Sequence, residues 1–156
     1  MEQLQQLLQI RVLRLDCLRG ELARALAALQ VVDDELASAA DEVARVAQQR
    51  VLWENDWQQW LHRDGVLRHG QEYNLSHVAL SAWEHDAKEV HDEVLGRREQ
   101  AAAVVKEILQ RVLRAEQRCE ALREQLQTQR RQQLVRRAAL VDSRSNDEFV
   151  PAIRTV

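Results

Sequence analysis

Apolar residues recur in alternating steps of three and four from Leu4 to Trp60. The rungs are Leu4, Leu8, Arg11, Leu15, Leu18, Leu22, Ala25, Leu29, Val32, Leu36, Ala39, Val43, Val46, Arg50, Trp53, Trp57 and Trp60, and fifteen of the seventeen are apolar. The spacing averages about 3.5 residues, the coiled-coil period. A second series opens at Leu80 and runs through Trp83, Ala87, Val90, Val94, Arg97, Ala101, Val104 and Ile108. After one additional four-residue step it resumes at Val112, Ala115, Cys119, Leu122 and Leu126. A lone helix leaves such a stripe in water, so the two are expected to close on each other. The predicted fold is all-α, a two-helix antiparallel coiled-coil hairpin.

The punctuation sets the expected boundaries. Helix 1 covers about 2–63, ended by Asp64-Gly65, with His69-Gly70 as a second breaker in a connection over 64–79. Helix 2 covers about 80–141, with Ser81 and Glu84 forming a capping box and Asn74 or Ser76 as earlier starts. Residues 1–141 then form one domain, and the polar stretch 142–156, with Ser143, Ser145, Asn146 and Pro151, is expected to be a flexible tail. Each helix would be roughly 90 Å long. Folding near residue 72 brings Trp60 to Trp83, Leu36 to Glu107 or Ile108, Arg50 to Glu93 and Gly96 to Ala47. Leu15 would face the region after Leu126.

Composition narrows the class further. One Pro, four Gly and 4% aromatics argue against sheets. Charged residues at 30% can solvate two long outer faces, while a net charge of −3 excludes a bulk polycation for nucleic acid. Cys17 and Cys119 are too few for a disulfide framework and read as small buried hydrophobes. No apolar run approaches the roughly 18 residues of a membrane span, and no secretory signal opens the chain, so the expected location is the cytoplasm.

Three features depart from a plain rod. Residues 32–95 hold fourteen acidic and five basic residues, against eleven acidic and seventeen basic elsewhere. The hairpin is therefore expected to be acidic at its closed tip and basic at its open end. The stretch Leu7–Leu18 is apolar nearly all round, which calls for a widened intramolecular stripe, a protein socket, self-association or a membrane surface. Trp53, Trp57 and Trp60 cluster in one ladder segment with Trp83 expected opposite, as core filler or as an interaction hot spot. Signals of catalysis or of metal or cofactor binding are absent: no HExxH, no Gly-rich phosphate loop, no CxxC and no nucleophile setting. Arg130, Arg131, Arg136 and Arg137 read as a solvated helix end or an acidic-partner contact.

The opening Ile10-Arg11-Val12-Leu13-Arg14-Leu15-Asp16 is similar to the start of the YscO (SctO) stalk proteins of type III secretion systems, distant relatives of flagellar FliJ. Val51-Leu52-Trp53 resembles the Leu-Trp near the end of their first helix, and Leu80-Ser81-Ala82-Trp83 their Leu-x-x-Trp at the start of the second. The resemblance implies an antiparallel hairpin whose open end enters the pore of the hexameric secretion ATPase. The closed tip would engage the cytoplasmic ring of the export gate, with secretion chaperones as a further partner. Carried over by position, the ATPase end is Leu7, Leu8, Arg11, Leu15 and the facing Leu134 to Leu140; the gate end is Trp53, Trp57, Trp60, Leu80 and Trp83. This implies a cytoplasmic protein peripheral to the inner-membrane apparatus, without direct membrane insertion. The chain departs from the family in having few Lys and little acidic tail, with Asp147-Glu148-Phe149 the only segment of that kind.

The expected function is thus a non-enzymatic stalk or adaptor linking the secretion ATPase to the export gate. The alternative is a generic coiled-coil scaffold or dimerising adaptor with no ATPase partner, its Leu7–Leu18 surface buried against a second copy. An enzyme would need a convergent polar site that the sequence does not offer.

Overall fold

A computed structural model describes residues 1–64 and 70–154, with side chains described over 1–63 and 70–147. Gly65, Leu67 and His69 lie outside the described residues, as do the side chains of Glu148, Phe149 and Pro151. The described chain is two α-helices packed against each other as an all-α hairpin: α1, Glu2–Asp64, and α2, Gly70–Arg154. Glu2 in the first turn of α1, and His62 and Arg63 in its last, suit the helix dipole.

The second helix differs from expectation at both ends. It begins at Gly70 rather than near residue 80, and it continues to Arg154 rather than ending near 141. At the start, Tyr73 and His77 stack on Trp53, so this segment has apolar partners that hold it helical. At the other end, no Gly follows Gly96, and Pro151 is the chain's single proline. Ser, Asn and Asp cost a helix at most about 0.7 kcal/mol each relative to Ala, which does not stop it.

The chain divides into two compact units, residues 22–107 and residues 1–21 with 108–156. In the first unit the α1 ladder packs as the spacing predicts: Ala39 and Val46 are buried, and Val46 is 0% exposed. Val46, Leu80 and Ala87 form a core cluster, with Val43 and Trp53 packed against it.

The α2 ladder of this unit follows a different path. Leu80, Ala87, Val94 and Ala101 face inward, but the rungs between them are Glu84, His91, Arg98 and Val105, not Trp83, Val90, Arg97 and Val104. Each intermediate rung moves on by one residue. The reason is electrostatic pairing across the seam. Arg50 Nε donates to Glu84 Oε2 at 2.8 Å, and Arg50 Nη2 to Ser81 Oγ at 3.1 Å. Arg98 Nε donates to Asp33 Oδ1 at 2.8 Å, and Arg97 pairs with Glu35. Arg50 therefore meets Glu84, not Glu93, because the earlier start of α2 shifts the register. Gly96, expected against Ala47, is exposed, and a Cβ there would meet nothing within 4 Å.

Lys88 donates to Glu84 Oε1 at 3.0 Å, and together with Arg50 it holds the Glu84 carboxyl below the usual glutamate range, outweighing desolvation. Because the folded value is lowered, this carboxylate's contribution is complete above the ordinary glutamate range and is lost as pH falls through the lowered value. An NMR titration is expected to show the Glu84 midpoint rising in an Arg50→Gln/Lys88→Gln variant. An unchanged midpoint would contradict the pairing.

In the second unit, Leu15, Val112, Cys119, Leu122 and Leu126 are buried. Along α2 the inward residues Ile108, Val112, Ala115, Cys119, Leu122, Leu126 and Gln129 keep the same alternation, so the additional four-residue step disappears. Arg19 Nη2 donates to Glu116 Oε1 at 3.1 Å, and Arg11 Nη1 to the Arg118 carbonyl at 3.5 Å. Leu15, between these two contacts, therefore sits opposite the stretch around Cys119, not after Leu126. Residues 130–147 of α2 have no facing α1 segment and are exposed throughout. Cys119 is buried as expected, but Cys17 is exposed.

Candidate functional site

Two surfaces carry the expected site residues, one in each unit. In the unit of residues 22–107, consecutive turns of α1 present Trp53 and Trp57 to the first turns of α2. Trp53 stacks on Tyr73 at a ring-centroid distance of 4.9 Å and on His77 at 5.6 Å. Trp57 meets Tyr73 edge-on at 5.2 Å and Trp53 at 6.4 Å. Such pairs contribute about 0.5–1.5 kcal/mol each beyond area burial. The Trp53 indole N–H is buried without a hydrogen-bond acceptor. A hollow of about 260 Å³ opens beside Trp53, Trp57, Leu61 and Tyr73.

The expected gate residues separate into three groups. Leu80 is 9% exposed and belongs to the core, so it cannot touch a partner without unfolding. Trp53 and Trp57 are half-buried, tying the helices together. Trp60 and Trp83 are exposed, at 51% and 37%. Trp83 does not meet Trp60; its indole N–H donates to Glu42 Oε1 at 2.8 Å, and Arg45 holds the other oxygen of that carboxylate at 3.0 Å.

The other unit shows the same division. Leu15 is 4% exposed and is core. Leu8 and Arg11 are half-buried, and Leu7 is exposed. Leu134 and Leu140 are exposed at 64% and 59%, together with Val135 and Val141. They stand on the exposed end of α2, Leu134 and Val135 between Arg131 and Arg136, and Leu140 and Val141 after Arg137. A separate apolar patch joins Ile10, Leu13, Cys17 and Leu18.

Sequence reasoning missed Tyr73 and His77, which it left in the connection. It also missed the arginines gathered beside Arg11, namely Arg14, Arg111, Arg114 and Arg118. Their three- and four-residue spacing on α2 was a usable signal. Among the described residues no group of three or more His, Cys, Asp or Glu could hold a metal ion, and no helix is long and apolar enough to cross a membrane. The chain matches no protein-family model, no curated protein and no solved structure.

Proposed function

We propose that this chain is a non-enzymatic stalk or adaptor of a type III secretion export apparatus, joining the hexameric secretion ATPase to the export gate. The supporting observation is a two-helix hairpin whose units carry unlike exposed surfaces. The unit with both termini has thirteen basic and nine acidic residues and an unpaired helical extension bearing Leu134, Val135, Leu140 and Val141. The unit with the helix connection has nine basic and sixteen acidic residues and exposes Trp60 and Trp83. Surfaces that differ in charge and apolar character select different partners. The resemblance of the Ile10–Asp16, Val51–Trp53 and Leu80–Trp83 segments supplies the identity of those partners: the ATPase for the basic unit and the gate ring for the acidic one.

The test is a purified secretion ATPase with this chain at substoichiometric ratio. Hydrolysis is expected to rise, and Arg11→Glu to remove the rise while leaving gate binding intact. Trp60→Ala with Trp83→Ala is expected to do the reverse. If both variants lose both partners together, the assignment of separate surfaces fails. The exposed Ile10, at 48%, and Leu13, at 66%, favour a second reading, a dimerising scaffold. Sedimentation showing a stable homodimer that leaves hydrolysis unchanged would establish it instead.

A further inference from the structure

Five arginines converge on one cleft in the unit that carries the termini. Arg11 and Arg14 come from adjacent turns of α1, and Arg111, Arg114 and Arg118 from successive turns of α2. Leu18 and Ala115 complete the lining, and the cleft encloses about 350 Å³. That volume is within the roughly 300–1,000 Å³ of small-molecule sites.

Two nearby carboxylates are turned elsewhere. Asp16 and Glu116, the acidic neighbours on the two helices, both pair with Arg19, at 3.7 and 3.1 Å. Among the described residues no carboxylate pairs with Arg11, Arg14, Arg114 or Arg118. Arg11 instead donates to the Arg118 backbone carbonyl, which fixes its guanidinium at the edge of the cleft. These four cations, held together without a carboxylate partner, repel one another, and a bound anion relieves that repulsion.

We infer that this cleft is a binding site for a compact oligophosphate, either free or as the phosphate chain of a nucleotide. Guanidinium forks match phosphate oxygens bidentately. Each phosphate group carries about −1 to −2 charges near neutral pH, so a short chain of them concentrates the charge that Arg11, Arg14, Arg114 and Arg118 require in one small cleft. An extended acidic peptide does not do so, because alternate carboxylates point to opposite sides of the strand. No aromatic ring lines the cleft, so a nucleobase has nothing to stack on and recognition rests on the phosphates. The inference does not depend on the secretion reading.

Calorimetric titration of the full chain with sodium tripolyphosphate tests it, alongside ATP without magnesium and a poly-glutamate peptide. Tripolyphosphate is expected to bind one site, and Arg14→Gln/Arg114→Gln to weaken it at least tenfold with helix content retained. The control Arg130→Gln/Arg131→Gln is expected to bind as the parent does. ATP binding as tightly as tripolyphosphate identifies the phosphate chain as sufficient; tighter binding of ATP points to a nucleotide as its source. Equal weakening in both variants, absence of binding, or stronger binding of poly-glutamate overturns the inference.

Discussion

Val46→Asp is expected to destabilise the unit of residues 22–107 by at least about 3 kcal/mol, while Val104→Asp changes it by less than about 0.5 kcal/mol. The two substitutions are chemically identical, and both positions lie on the ladders that the apolar spacing draws. Val46 is 0% exposed within the Leu80 and Ala87 cluster, whereas Val104 is 49% exposed. An aspartate at 46 must desolvate or protonate; at 104 it stays in water. Urea unfolding followed by circular dichroism checks both. A large loss at Val104 would restore the ladder drawn from apolar identity and remove the one built on Glu84, His91, Arg98 and Val105.

Removing residues 130–156 is expected to leave the thermal midpoint of the remaining hairpin within about 2 °C. Ordinary surface changes cost little, and among the described residues no buried rung lies beyond Leu126. The same truncation is expected to reduce stimulation of the secretion ATPase at least tenfold. It deletes Leu134, Val135, Leu140 and Val141, all more than half exposed, with Arg130, Arg131, Arg136 and Arg137 beside them in the sequence. Few residues dominate most interfaces; Arg is enriched among them, and the exposed apolar side chains beside it supply area to bury. A truncated chain that stimulates normally would move the ATPase contact elsewhere. One that melts far lower would mean the extension packs on the hairpin.

The hairpin was legible because apolar spacing reports which face of a helix is hidden. Of the α1 rungs, only Trp60 is exposed, and the two arginines on the ladder, Arg11 and Arg50, are both half-buried. In α2 the same rule chose Trp83 over Glu84 and Val90 over His91, because apolar identity outweighed charge; between Arg97 and Arg98, or Val104 and Val105, residue type gave nothing to choose by. Which was right depends on what α1 offers opposite, and Arg50 and Asp33 favour the charged rungs. Register also decided the sites. Tyr73 and His77 join Trp53 only because α2 starts at Gly70, and five arginines share a cleft only because residues 11 and 14 meet residues 111–118. Spacing within one helix carries no such information.

The charged rungs also govern shear. Sliding α2 along α1 by one heptad would keep most apolar steps in contact, since Ala and Val tolerate each other. It would set Arg50 against His91, Asp33 against Val105 and Glu42 against Val90, stranding these three cross-helix links of that unit. Leucines alone would let the two helices creep past each other; in this unit the ion pairs must break together before α2 slides along α1.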